Sequence, residues 1–231
     1  MKRFYREASV VAEEGRYSVV LDGRPVLSPG RSPLELPAVE LANAIAAEWN
    51  AQGDDIVPES MPMTRFANSA IDRIRPRRDG VVSEIAAYAE TDLLCYRAAA
   101  PADLVERQSF TWQPLLDWIA EHYGAVLNVT QGVMPLTQNA EATALLRAQV
   151  AMRDVFVLSA LHSITAASGS LVIALAVVEG RIGPEEAAAA SLIDETFQAE
   201  KWGEDPESVA RWDSIGTEIA AAARFLAATS S

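Results

Sequence analysis

The feature that most limits how this chain can fold is an uncharged segment of 24 residues, 155–178. Twelve of these residues are Val, Leu, Ile or Phe, and a helix of this length can cross a bilayer. The run Ser168-Gly169-Ser170 interrupts the segment, and it is typical of one helix ending at Gly and the next beginning at a Ser cap. We therefore predict two short helices that are buried on all sides, over 154–167 and 169–179, and keep a membrane span as the alternative.

Charge and cysteine content restrict the partners and the compartment. The 231 residues suffice for one large domain or two small ones, and they carry a net charge of -13. A nucleic-acid partner would require a strong local basic patch, so we expect none. Cys95 is the single cysteine, which excludes an intramolecular disulfide. The first residues lack the apolar run of a secretory signal, and we expect a cytoplasmic bacterial protein or an organellar one whose leader has been removed.

The first 30 residues alternate in the manner of a small antiparallel sheet. A strand is predicted over 8–12, a second over 17–21, and a third over 24–27. Asp22-Gly23 between the last two is a two-residue hairpin turn, which gives both residues a structural role. Such a meander needs a helix across its apolar face. The helix predicted over 37–52 supplies one, with Trp49 in its buried stripe.

The rest of the chain is mostly helical. Short strands are predicted over 92–97 and 126–129, on either side of an amphipathic helix over 101–123 whose apolar residues include Phe110 and Trp112. Further helices are predicted over 64–74, 80–88, 141–152, 184–202 and 206–226. The predicted fold class is α+β: a small N-terminal α+β domain with a β-meander over 1–100, and a C-terminal all-α domain over 101–231. The boundary falls within 97–138.

Sequence motifs for catalysis are missing. The chain has no phosphate-binding loop, no dinucleotide-binding glycine pattern and no nucleophile elbow. Two histidines and one cysteine make a His/Cys metal site hard to assemble. We therefore predict no catalytic residue, no cofactor and no metal, with an enzyme of unrecognised type as an alternative. Five arginines between Arg65 and Arg78 form a local basic cluster, which together with 155–178 favours a second alternative, a membrane-associated protein.

The candidate binding element is acidic and lies near the C-terminus. Residues 183–231 contain ten acids and three bases. On a helix there, Asp194, Gln198 and Lys201 share one face, and Leu192, Ala199 and Trp202 line a nearby one. An aromatic side chain with a polar rim is typical of protein contacts, although a structural role for Trp202 is equally compatible with the spacing.

Several segments, in this order, resemble one known family: the assembly chaperones of the F1-ATPase that act on its alpha subunit, found in mitochondria and alphaproteobacteria. The resemblance covers nearly the whole chain. It is carried by Lys2-Arg3-Phe4-Tyr5, Leu21-Asp22-Gly23-Arg24-Pro25, Glu48-Trp49, Met61-Pro62-Met63-Thr64, Tyr88-Ala89-Glu90-Thr91-Asp92-Leu93-Leu94-Cys95-Tyr96-Arg97 and Trp202-Gly203-Glu204-Asp205.

The resemblance implies a non-enzymatic chaperone that binds the free alpha subunit and shields its beta-subunit interface until hexamer assembly. It implies a monomer, cytoplasmic in bacteria and located in the mitochondrial matrix in eukaryotic relatives. The family's acidic position in the C-terminal helix corresponds here to the pair Asp194-Glu195. Trp49 then serves stability rather than contact.

Overall fold

The computed structural model describes residues 1–13, 15–132 and 134–229. The chain forms two compact units. The first contains residues 1–78, 154–160 and 221–231, and the second contains 79–153 and 161–220. The predicted domains, by contrast, are two continuous stretches of the chain that meet within 97–138, and this boundary stays a prediction.

The first unit is built on the predicted three-stranded meander. Strands β1 (Ala8–Glu13), β2 (Arg16–Leu21) and β3 (Arg24–Pro25) pair antiparallel in that order. Asp22 and Gly23 form the tight turn, with φ of 49° and 80°. Both residues of this turn type need positive φ, which favours glycine at the second position. The Asp22 carboxylate also accepts the backbone amides of Arg6 and Glu7, which lowers its pKa and fixes the N-terminal segment beside the turn.

Helix α1 (Val39–Asn50) covers this sheet. Its Leu41 and Ile45 are completely buried, as is Val19 on β2. Trp49, one turn further on, is half-buried and packs edge-to-face on Tyr5 with ring centroids 5.5 Å apart.

A carboxylate of α1 caps the next helix, α2 (Pro62–Asn68), which continues into a π-helical turn over Ser69–Ile74. Glu48 accepts the amide of Met63 at 2.6 Å, and the amide and hydroxyl of Thr64 at 2.8 and 2.7 Å. These are orphan donors of a helix N-terminus, where a carboxylate is favourable. Burial nevertheless raises the pKa of Glu48, although the hydrogen bonds oppose that effect.

The second unit is predominantly helical, with a two-stranded parallel sheet of β4 (Tyr96–Arg97) and β5 (Thr130–Gln131). The other helices of the described chain are α3 (Arg78–Ala87), α4 (Ala102–Tyr123), α5 (Ala140–Ala151), α6 (Val155–Ser168), α7 (Leu171–Val178), α8 (Pro184–Ser191), α9 (Ile193–Trp202) and α10 (Pro206–Thr229). The division between the two units falls within α3, α6 and α10.

Four sequence-based expectations were wrong in detail. The third strand, expected over 24–27, contains only Arg24–Pro25. Residues 93–95 form a 3₁₀ turn, because the Asp92 side chain caps the Leu94 amide, and this confines the predicted strand to Tyr96–Arg97. The strand expected over 126–129 lies instead at Thr130–Gln131, where it can pair with β4. The single helix expected over 184–202 divides at Leu192, which joins α8 to α9.

The uncharged segment forms two helices, as predicted, but the expectation that both are buried on all sides was wrong for the first, in which Ala166 is exposed. Helix α6 ends before Gly169, whose φ is 70°, and the Ser170 hydroxyl then accepts the amide of Ile173 to begin α7. Nearly every residue of α7 is buried. Among the described residues, no helix has the length and apolarity required to cross a membrane.

The start of α7 rests on a fully buried carboxylate. Asp92 accepts the Ser170 hydroxyl at 2.7 Å and the amides of Val172 and Leu94 at 3.1 Å each. Burial raises the pKa of Asp92 to about 6, against the opposing effect of these hydrogen bonds. Cys95 lies in the same interior, where burial raises its pKa to about 12, as expected of a packing residue.

Candidate functional site

The candidate site is built on α9, a short helix with one buried and one exposed side. Ile193 and Phe197 point into the second unit, while Gln198, Lys201 and Trp202 are exposed. The first turn carries Asp194 and Glu195, where acids complement the helix dipole. The helix ends at Gly203, whose φ of 94° an L-residue rarely adopts.

Three polar contacts join α9 to α4, and we call this line of contacts the α4–α9 seam. Gln108 Nε2 donates to Asp194 Oδ1 at 2.6 Å, and Lys201 Nζ donates to Asp103 Oδ2 at 3.0 Å. Between them, Arg107 pairs with Glu200 through two parallel bonds of 2.7 Å. Because the numbering rises along α4 as it falls along α9, the two helices run antiparallel.

The pKa values of the three acids along the seam are shifted in different directions. Burial raises the pKa of Asp194, and the hydrogen bond from Gln108 opposes this shift. The hydrogen bonds from Arg107 and Lys201 lower the pKa values of Glu200 and Asp103, respectively. Both cations also lie about 5 Å from the ring of Phe197, at 5.2 Å for Arg107 and 5.1 Å for Lys201. The α4–α9 seam therefore holds α9 against α4 by paired charges over an apolar ring.

A pocket of about 200 Å³ opens on the other side of α9, toward the start of α10. Its rim is acidic, and Glu195 pairs there with Arg211 at 3.1 Å. Trp202 is 80% exposed at its edge. The pocket is lined by Glu195, Gln198, Ala199, Trp202, Gly203, Glu204, Asp205, Ser208 and Trp212.

The structure divides the five predicted contact residues into two groups. Glu195, Gln198 and Trp202 line the pocket, whereas Asp194 and Lys201 make contacts with α4. The exposure of Trp202 fits a contact residue better than a packing one.

Sequence reasoning missed the residues of the pocket and seam that come from other helices. Trp212 on α10 lines the pocket, and its buried indole N–H has no partner among the described residues. Trp212 lies four residues after Ser208, and this spacing of one helical turn could have indicated that the two share a face of the helix. Arg107 and Gln108 precede their partners by 93 and 86 positions, and no local pattern connects them.

The helical part of this α+β fold thus presents an exposed tryptophan at the end of an acidic helix, an arrangement typical of protein-contact surfaces. A family model described as ATP12 chaperone protein matches residues 2–120, just over half of the chain. The chain belongs to this family of F1-ATPase assembly chaperones, which confirms the resemblance noted from the sequence.

Individual relatives agree. The mitochondrial atp12 protein of Schizosaccharomyces pombe is 23% identical over 214 residues, covering 87% of this chain and 74% of that protein. The crystal structure of Atp12 from Paracoccus denitrificans superposes with a TM-score of 0.95 at 45% identity, over 99% of this chain and 98% of that chain. The Atu1473 protein of Agrobacterium tumefaciens gives a TM-score of 0.93 at 38% identity, over 100% and 86%. These matches confirm the α+β fold class.

Proposed function

We propose that this chaperone binds the free alpha subunit of the F1-ATPase and shields its beta-subunit interface until the hexamer assembles. It acts by binding alone, without catalysis, as a monomer in the bacterial cytoplasm. The observation that carries the proposal is Trp202, an aromatic side chain 80% exposed at the rim of an acidic pocket.

Exposing the apolar ring of a tryptophan to water is unfavourable, and binding to a partner removes this unfavourable exposure. Burying its large ring against a partner removes apolar surface from water, and tryptophan is enriched among residues that dominate binding energy. The α4–α9 seam holds the helix that carries it, so little ordering entropy is lost on binding.

The polar character of the rim suits a client that must later be released. An unassembled subunit exposes an apolar interface that invites aggregation. A chaperone has to cover this surface and still yield to the true neighbour. Rim charges such as Glu195 and Glu204 adjust association rate and selectivity more than affinity, so they favour capture without permanent retention.

The proposal is tested by mixing the purified protein with free alpha subunit and following the complex by size-exclusion chromatography with light scattering. We expect a one-to-one complex that disappears when beta subunit is added. Trp202→Ala should weaken the complex about tenfold or more, whereas Met152→Ala, which truncates a side chain 68% exposed in the turn after α5, should leave it unchanged. Equal binding to free alpha subunit and to assembled hexamer would disprove the shielding role.

A further inference from the structure

Phe110 is the most exposed large apolar side chain of the described residues, at 84%, and Trp202 is next, at 80%. The sequence placed Phe110 on the apolar side of α4, but Trp112, two residues later, is the one that is buried. Residues two apart on a helix do not share a face, so burying Trp112 turns Phe110 outward.

Both aromatic side chains flank the α4–α9 seam. Asp103, Arg107 and Phe110 follow one another at spacings of four and three, so they share one stripe of α4, and the first two bond to α9. On α9, Trp202 directly follows Lys201, the partner of Asp103. Seven residues at 1.5 Å each put Phe110 about 10 Å along the helix axis from Asp103. The backbone positions of Phe110 and Trp202 therefore lie at opposite ends of this line of contacts.

We propose that Phe110 and Trp202 are paired anchors of one docking face that crosses the α4–α9 seam, and that its occupant is a positively charged protein surface with apolar sockets. This inference rests on the proposed function, since that function makes the alpha subunit the occupant.

The charge around the two anchors selects the occupant. The cations of the face, Arg107 and Lys201, are each engaged with a carboxylate of the seam. Glu106 and Glu204 are exposed beside Phe110 and Trp202 and add further negative charge. A basic surface is complementary to this face. A second copy of the same chain is disfavoured, because every copy carries a net charge of -13.

Pro114 adds a site for a polar contact beside the Phe110 ring. It lies inside α4, four residues after Phe110, and has no amide hydrogen to donate to the Phe110 carbonyl. Phe110 and Pro114 are both exposed. The occupant thus meets an aromatic ring beside a backbone acceptor that the helix leaves open, and a Lys, Arg or backbone N–H of the occupant is its natural donor.

The test measures binding of purified alpha subunit to four forms of the full chain by calorimetry or interferometry: wild type, Phe110→Ala, Trp202→Ala and the double variant. Each single change should raise the Kd about tenfold or more, and melting temperatures should stay unchanged because both side chains are exposed. Met152→Ala is the matched control and should leave the Kd unchanged. Glu106→Lys should also weaken binding, most strongly at low salt.

Each outcome decides one point. Wild type that fails to bind alpha subunit overturns the proposed function and removes the support for this face. Wild type that binds, together with Phe110→Ala that binds equally well, overturns the paired anchors and leaves the proposed function standing. A wild-type dimer that dissociates in Phe110→Ala would make the face a self-interface and contradict the occupant.

Pro114→Ala tests the carbonyl separately. The restored amide hydrogen should raise the melting temperature and weaken alpha-subunit binding several-fold. A higher melting temperature with unchanged affinity would exclude the Phe110 carbonyl from the docking face.

Discussion

Gln108 on α4 and Asp194 on α9 are joined by a hydrogen bond, and both the nitrogen and the oxygen of the Gln108 side-chain amide are engaged. Nε2 donates to Asp194 Oδ1 over 2.6 Å, and Oε1 accepts the backbone amide of Ala98 over 2.8 Å. Glu195, the next residue after Asp194, pairs instead with Arg211 on the pocket side. The two adjacent acids therefore have different structural roles.

Charge reversal at the two acids should separate stability from binding. We expect Asp194→Lys to lower the free energy of unfolding by roughly 2–4 kcal/mol, because it removes the acceptor of a buried Gln108 donor and places a cation in a half-buried position. Glu195→Lys should change it by about 0.5 kcal/mol or less, as at most surface positions, and weaken alpha-subunit binding. Urea unfolding and the binding assay are measured on both variants. Equal losses of stability in the two variants would contradict the conclusion that Asp194 and Glu195 have different structural roles.

The buried Asp92 should make stability depend on pH. Its folded pKa, about 6, lies above its ordinary value of 3.8, so the folded protein holds the proton more tightly than the unfolded chain. The contribution to stability is thus fully present below about pH 4 and is lost as pH rises through about 6. Relative to Asp92→Asn, which does not titrate, the wild-type free energy of unfolding should fall by roughly 3 kcal/mol across that window. Denaturant melts at several pH values check this, and a flat difference would show that the two states share one pKa.

The Glu48 cap should be required for α2. Glu48→Ala leaves the amides of Met63 and Thr64 without their acceptor, and we expect a loss of roughly 2–3 kcal/mol in the free energy of unfolding. Glu40→Ala, an exposed acid in the first turn of the same α1 helix, is the control and should cost about 0.5 kcal/mol or less. Similar losses in both variants would mean that helix charge, not capping, is what matters.

The hairpin turn should be sensitive to a single methyl group. Gly23 has φ of 80°, so Gly23→Ala should destabilise the protein by roughly 1–2 kcal/mol through backbone strain, although the added Cβ meets no atom within 4 Å. Gly53→Ala, at a loop position without positive φ and with equally open space, is the matched control. Thermal unfolding of both variants should show a lower Tm for the Gly23 variant alone.

Two tryptophans should respond in opposite ways to truncation. Trp49→Ala removes a half-buried ring packed on Tyr5, and we expect a loss of roughly 2–4 kcal/mol in the free energy of unfolding. Trp202→Ala should leave unfolding unchanged and reduce alpha-subunit binding. A stable Trp49→Ala variant that binds poorly would move Trp49 from a structural role to the contact surface.

Local patterns predicted the elements whose residues determine them nearly alone. The Asp22-Gly23 turn, the strands beside it and the cap at Ser170 all depend on neighbours within a few positions. The division of the uncharged segment into α6 and α7 followed from Gly169, because only a residue tolerant of positive φ ends a helix there. The segments that resemble the family were enough to indicate it, because they occur in the same order along nearly the whole chain.

Long-range packing decided the remainder. Phe110 and Trp112 are equally apolar in a helical pattern, and only the packing of α4 determines which of them is buried. Asp194 and Glu195 are indistinguishable in sequence, and their roles separate only because α4, 86 positions earlier, supplies Gln108 to one of them. The sequence by itself determined the local elements and the family, since these rest on short-range backbone and side-chain chemistry. The exposed face and its partners were decided by tertiary structure, because burial depends on which distant helices pack together.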